Sequence, residues 1–296
     1  MKFKTGSFRT KFFFACTAFA VIIVIFLFSG TFVNNYYQIL TPGKGHVIES
    51  NQNFSQKTVD SESIKILNWN VYKQKRPGFS DDFIKLSKNK DIILIQEACF
   101  KKNLWQAFRV SGMGWYFAQS FSYCKKSLYA TGVMTLSKAS PIFSGYIRTK
   151  FKEPLTHTPK ISLVTKYSLT GTKKKLLVVN THGINFVKSK AFESQMADLG
   201  KKIKKHRGPA IFAGDFNTWN KKRIAILTRI VTRSGLKEAR FHPDTRTKRF
   251  RYPLDHIFYK GLKIKKTKIF NKIRSSDHKA VGVEFCFTGP GRGKKF

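Results

Sequence analysis

The chain has 296 residues, 42% of them hydrophobic, which suffices for one large α/β-sized core and excludes a disordered polymer. Its 56 Lys and Arg against 16 Asp and Glu leave a formal charge of +40. Such a balance disfavours cationic ligands and favours polyanions, either nucleic acid or an anionic membrane face, in a salt-dependent way. A solvated basic surface serving solubility alone is the plainer alternative.

Lys2, Lys4, Arg9 and Lys11 make residues 1–11 a basic N-terminus. Residues 12–33, FFFACTAFAVIIVIFLFSGTFV, carry no charge. At about 1.5 Å per helical residue they cross roughly 30 Å of hydrocarbon, enough for one transmembrane helix. The run is longer than a signal-peptide core and no Ala-x-Ala-like site follows it, so an uncleaved anchor is expected. Positive charge before the span places the N-terminus in the cytoplasm and the rest on the outer, periplasmic or extracellular side. Residues 34–63 are polar and aperiodic, as expected of a linker, with the domain over 64–288 and a basic tail, 289–296, after it.

Cys16 falls in the apolar run, which leaves Cys99, Cys124 and Cys286 for the domain. A domain outside the cytoplasm has room for one disulfide, and Cys99 with Cys124 is the favoured pair, since both fall near one predicted sheet edge. Nothing suggests a zinc cluster.

From Ile64 onward short apolar runs recur: IKILNWNV, DIILIQEA, GVMTLS, ISLVTKYSL, KLLVVNTH, PAIFAGDFN, LDHIFY and AVGVEFCF. These read as strands. Helices are expected at Asp81–Asn89 and at Ser189–His206, where Phe192, Met196, Leu199 and Ile203 are helically spaced. A mixed α/β fold follows. The strand ends carry the chemistry: Asn70 after ILNW, Glu97 after DIILIQ, His182 after LLVVNT, and Asp215 and Asn217 after PAIFAG. Asp255 and His256 follow Pro-Leu, and Asp277 and His278 precede the last strand. Each alone is an ordinary solvated strand end or turn. Together they stand out, because Glu97, Asp215, Asp255 and Asp277 belong to only 16 acids in a strongly basic chain. A hard divalent cation such as Mg²⁺ takes oxygen ligands, one or two carboxylates with an amide oxygen among them. Attack on a phosphate diester needs an aligned nucleophile, neutralised phosphoryl oxygens and a stabilised leaving oxygen, which a metal, imidazoles and an Asp/Asn pair supply.

The strings LNWNVYK, IQEACF, NTHGINF, FAGDFNTW, LDHIFY and SSDHKAV resemble, in order and spacing, those of the endonuclease/exonuclease/phosphatase superfamily. Coverage runs from about Ile64 to Phe287, and Gly-Asp-Phe-Asn and Ser-Asp-His are the specific part. The anchor is similar to that of bacterial envelope members. The resemblance implies a four-layer sandwich of two mixed β-sheets flanked by helices, here preceded by one transmembrane helix. It implies Mg²⁺ or Mn²⁺ bound by Glu97 with Asn70 assisting, and Asp277 helping to bind the metal or to position water. Asp215 and Asn217 would hold the attacking water and scissile phosphate. His278 would act beside phosphorus, oriented by Asp255, and His182 would donate to a phosphate oxygen from the other side. Whether Asp215 or His278 removes the water's proton stays open. His256 is expected to point away from the site, as the neighbour of Asp255 on a strand.

Between Lys237 and Lys279, Arg and Lys interleave with aromatics, a pattern suited to neutralising and stacking a single strand. Strand alternation instead assigns Phe250, Tyr252, Phe258 and Phe270 to the core and leaves only the charges facing water. Nucleic acid is the expected substrate. The rivals are a phospholipid or phosphoinositide headgroup, reached from a membrane tether, and a non-catalytic role in binding polyanions.

Overall fold

The computed structural model describes residues 38–43, 47–124 and 128–289. The basic N-terminus, the apolar stretch 12–33 and the tail beyond residue 289 lie outside the described residues. Among the described residues no helix is long and apolar enough to cross a membrane.

The strands in chain order are β1 (Gln38–Leu40), β2 (Ile48–Asn51), β3 (Ile64–Asn70), β4 (Ile92–Cys99), β5 (Gly114–Cys124), β6 (Leu128–Ser137), β7 (Phe143–Lys152) and β8 (Pro159–Ser168). They continue as β9 (Lys175–His182), β10 (Ala210–Asp215), β11 (Lys237–Glu238), β12 (Lys248–Arg249), β13 (Tyr252–Pro253), β14 (Asp255–Lys260), β15 (Leu262–Ile269) and β16 (Val281–Phe287). The helices are α1 (Phe79–Ser87), α2 (Lys102–Ser111), α3 (Ser189–Lys205) and α4 (Lys221–Arg233). One sheet runs β1-β5-β6-β4-β3-β16-β15, with β2 also on β5; the other runs β11-β14-β10-β9-β8-β7. Each is mixed, with β3 parallel to β4 and β9 parallel to β10 among antiparallel neighbours.

Alternation along each strand divides the core into layers. Ile64 and Ile66 of β3, Ile92 and Leu94 of β4, Leu176 and Val178 of β9, and Ile211 and Ala213 of β10 meet between the sheets. Leu67, Trp69, Ile93 and Ile95 face the other way, onto Phe79, Phe83 and Leu86 of α1 and Leu104 and Phe108 of α2. On the far side Leu177, Val179 and Phe212 pack on α3 and α4. The result is the four-layer α/β sandwich that the resemblance implied. Helix α3 buries Phe192, Met196, Leu199 and Ile203 on one stripe, each worth about 1.5–3 kcal/mol of burial. Helix α4 starts at Asn220, whose side chain accepts from Arg223 N at 2.9 Å, a standard N-cap.

The expected linker, 34–63, is not structureless where it is described. Strands β1 and β2 pair along β5, and Val47 and Val59 are buried. These are short edge strands, and β2 is almost wholly exposed, so they lack the alternation by which a strand is read from sequence. The Cys99–Cys124 disulfide does not form, and Cys99 is a free thiol. Strand β6 lies between β4 and β5, pairing Thr131 with Cys99 and Leu128 with Cys124. Two strand spacings, roughly 9–10 Å, exceed the span of about 7 Å that a disulfide bridges.

Candidate active site

The inter-sheet core turns polar at one rim. The rows of β3, β4, β9 and β10 that carry the inner aliphatics end in Asn68 and Asn70, Gln96, Asn180 and His182, and Asp215. Antiparallel β14 begins there with Asp255. The register sets Asp215 level with both His182 and Asp255. Gly214 permits this closeness, because a Cβ there would lie 1.9 Å from the Thr181 carbonyl oxygen. His278 arrives on the loop before β16. That loop is pinned by Trp69 Nε1 donating to the His278 carbonyl (3.0 Å) and Ser276 Oγ donating to the Asn70 carbonyl (2.6 Å).

Asp255 Oδ2 lies 2.8 Å from His278 Nδ1, and the opposite ring nitrogen faces Asp215 Oδ2 at 3.8 Å. His182 Nε2 approaches the same oxygen at 3.6 Å, and Asn70 Nδ2 donates to it at 2.9 Å. Asp215 Oδ1 accepts the Asn217 backbone N–H at 2.8 Å. Burial pushes the Asp215 carboxyl up to about 6 against the pull of His278. Burial alone would depress His278, but Asp255 and Asp215 outweigh it and raise the imidazole to about 10. His182 goes the other way: burial, with the Lys160 charge, holds it well below the usual imidazole range and hence neutral at pH 7.

Glu97 reaches the cleft through a bulge. Gln96 and Glu97 together oppose Val133, the β4–β6 register shifting between Ile95 and Ala98, and Glu97 has φ 53°. Burial would raise its carboxyl, but the positive charges of Lys73 and Lys160 hold it far below the usual carboxylate range. Lys73 Nζ is 2.9 Å from Glu97 Oε2. Lys73 gets there from a run of left-handed residues, Tyr72, Lys73 and Gln74, at φ 50°, 52° and 49°, and its carbonyl accepts from Lys101 Nζ at 2.9 Å.

Asn70, Glu97, His182, Asp215, Asp255 and His278 thus converge, and Asp277, exposed, borders the same cleft as Glu97 and His278. Asn217 borders the same cleft. Its Nδ2 donates to the Gly183 carbonyl and its Oδ1 accepts from Asn185 Nδ2, both at 2.9 Å, so it positions Asp215 and the loop after β9. His256 lies on the opposite face of β14, stacked on Phe258, with Nδ1 2.7 Å from Glu238 Oε1. Phe258 is buried, but Phe250 is 69% exposed, against the core assignment. Sequence reasoning left Lys73 and Trp219 unassigned although both stand inside quoted strings, and Lys160, at the start of β8, gave no signal.

A hard divalent cation fits this donor chemistry. Glu97 is ionised and aimed into the cleft, Asp215 and Asp277 border the same space, and Lys73 shows that positive charge is accommodated there. Asn70 presents its nitrogen to the carboxylates, since its Oδ1 accepts from Tyr72 N at 3.0 Å. Asp215, Asp255 and His278 also cluster within 4.8 Å, and the Asp255–His278 bond and the raised imidazole suit that group to holding a proton as well.

Two stacked mixed sheets with carboxylates and imidazoles gathered at one rim define a hydrolase scaffold of the α/β sandwich class. The chain belongs to the Endonuclease/Exonuclease/phosphatase family, whose profile matches residues 67–278. Members are generally hydrolases of phosphoesters and generally depend on divalent metal. Similar solved structures include a family protein from Leptotrichia buccalis, with TM-score 0.60 and 18% identity, covering 76% of this chain and all (100%) of that one. The human Nocturnin catalytic domain with bound sulfate has TM-score 0.55 and 16% identity, covering 80% of this chain and 99% of that one. Truncated Caenorhabditis elegans TDP2 has TM-score 0.55 and 17% identity, covering 76% and 98%. At such identities the likeness is one of fold.

Proposed function

We propose that the protein is a divalent-metal-dependent phosphodiesterase acting on nucleic acid. The observation that carries this reading is the company the catalytic groups keep: Lys73, Lys160, Lys248 and Arg249 border the cleft that holds Asp215 and His278. A polyanionic strand finds its phosphates neutralised where the proton-transfer groups stand. The formal charge of +40 supplies the longer-range attraction.

In the mechanism Asp215 takes the proton of the attacking water as the water oxygen bonds to phosphorus and the P–O bond to the leaving oxygen breaks, that oxygen taking up a proton from solvent; a carboxyl raised to about 6 is both ionised and basic at neutral pH. Asn70 and the Asn217 N–H fix its two oxygens. His278, kept as imidazolium by Asp255, donates to a phosphoryl oxygen. Neutral His182 lends a second hydrogen bond without a further charge. Glu97, assisted by Asp277, would hold Mg²⁺ or Mn²⁺, which when bound supplies charge neutralisation at the phosphoryl oxygens. In the cell, the apolar stretch 12–33 would tether this domain to the outer side of a membrane. That tether also makes a phospholipid headgroup the second reading.

The test is hydrolysis by the full chain of plasmid DNA, single-stranded DNA, RNA, sphingomyelin vesicles and phosphoinositide vesicles, with Mg²⁺ or with chelator. Metal-dependent cutting of a nucleic acid, lost in His278→Ala, is expected. Turnover of a lipid alone would replace the nucleic-acid reading with the second one.

A further inference from the structure

Two exposed phenylalanines border the cleft that holds Asp215 and His278. Phe186 is 65% exposed and Phe250 69%. Both have left-handed backbone, at φ 53° and 49°, where a bulky residue is an outlier. Arg251, at φ 74°, follows Phe250, so both turn positions between β12 and β13 have positive φ. Glycine and asparagine are the usual occupants of such a turn. Strain of this kind, with no burial of the ring to offset it, is typical of positions held for a ligand.

Neither ring sits on a loose end. In the loop bearing Phe186, Ile184 N donates to Gln195 Oε1 (2.7 Å), Asn185 N to Glu153 Oε1 (2.8 Å) and Trp219 Nε1 to Asn185 Oδ1 (2.8 Å). The buried Arg223 guanidinium also donates to the Ile184 carbonyl. The hairpin bearing Phe250 is tied to the catalytic loop, because Lys279 N, next to His278, donates to Thr247 Oγ1 at 2.8 Å. Lys248 and Arg249 precede Phe250 on the hairpin, with the Arg249 guanidinium 5.4 Å from the ring centre.

We propose that Phe186 and Phe250 form a stacking site for unpaired nucleobases beside the scissile phosphate of a single-stranded nucleic acid. The inference rests on the nucleic-acid reading above and adds to it the form of the strand. Exposed rings set among cations match a chain that alternates planar bases with phosphates. A paired duplex keeps its base faces stacked on one another, so the site selects bases that are free. The Arg and Lys of the hairpin neutralise the backbone on either side of the stacked base.

The experiment measures binding of the full chain, in chelator, to a single-stranded DNA oligonucleotide and to the same backbone carrying abasic spacers. Stacking at about 1–3 kcal/mol per base corresponds to roughly a 5- to 150-fold preference for the base-bearing strand. Phe250→Ala and Phe186→Ala are expected to lose that preference while binding the abasic strand as before. Phe250→Trp is expected to keep it, with indole fluorescence quenched by the base-bearing strand alone. Equal wild-type affinity for the two strands, or a preference that survives both alanine variants, would overturn the proposal. So would an unchanged preference accompanied by loss of binding to anionic vesicles, which would assign the rings to a bilayer. Cleavage is read separately with Mg²⁺: preference without cleavage removes the nuclease reading and leaves the stacking site, and cleavage without preference does the reverse.

Discussion

Lys73 Nζ and Glu97 Oε2 stand 2.9 Å apart, and both residues reach that contact from left-handed backbone. An ammonium so placed occupies charge space at the carboxylate expected to hold metal. In chelator, Lys73→Met leaves Glu97 without its nearest counter-charge. The pair is partly exposed, with side chains 25% and 19% accessible, so the expected loss is about 1–2 kcal/mol, below the cost of breaking a fully buried pair. Mn²⁺ should close this gap, because the ion takes over the neutralisation of Glu97, and calorimetry should show tighter Mn²⁺ binding in the variant. Thermal unfolding with and without Mn²⁺ checks both, and a deficit untouched by Mn²⁺ would remove the ion from Glu97.

The His278–Asp255 pair sets a pH dependence. His278 is raised to about 10 in the folded protein, against about 6.5 unfolded. A raised imidazole contributes stability that is complete below pH about 6.5 and lost as pH climbs through about 10. Asp255→Asn removes the hydrogen-bonded carboxylate, so its stability deficit should be constant in mildly acidic buffer and shrink towards pH 10. Urea unfolding in chelator across pH 6–10 gives the curve; a deficit that grows with pH would contradict the assignment of His278 as imidazolium.

Much of this architecture was legible because burial and alternation leave marks in sequence. The inner rows of β3, β9 and β10 are apolar until they meet the rim, so Asn70, His182 and Asp215 stand out as interruptions. His256 was placed on the outer face by alternation alone, and there it pairs with Glu238. The edge strands β1 and β2 left no such mark, since they are short, Leu40 of β1 faces solvent as do the polar residues of β2, and their pairing is carried by backbone. Phe250 was misread for a related reason: alternation assumes a strand, and Phe250 occupies a turn. Lys73 was invisible because its placement depends on backbone angles that lysine seldom adopts.

Gly214 makes a claim on backbone space. With φ 154° and a Cβ position 1.9 Å from the Thr181 carbonyl oxygen, Gly214→Ala must push β10 away from β9. The clash is with main chain, so the neighbour cannot rotate aside, and a destabilisation of about 3 kcal/mol is expected. Denaturant unfolding measures it. A variant of wild-type stability would mean that the two strands separate more easily than their register suggests.

The bulge that aims Glu97 is closed from the opposite sheet. Asn180 Nδ2 donates to the carbonyls of Ile95 and Met134, at 3.1 and 2.8 Å, and its Oδ1 accepts from Gln96 Nε2 at 2.7 Å. Ile95 and Met134 are the last paired residues before the β4–β6 register shifts. Asn180 therefore satisfies, across the core, backbone oxygens beside the bulge. Asn180→Leu leaves those oxygens and the Gln96 amide buried without it, at about 1–3 kcal/mol for each group left unsatisfied. Asn180→Asp is sharper, because it keeps the shape but turns a donor into an acceptor facing two carbonyls. Its stability should fall below that of wild type at pH 7 and recover in part as acid protonates the new carboxyl, which then regains one donor. If Asn180→Asp matched wild type at pH 7, the cross-sheet bonds would not be what holds the bulge. Mn²⁺ affinity should weaken in both variants, since Glu97 loses its aim with the bulge. A stability loss that left Mn²⁺ binding intact would separate the core network from the site.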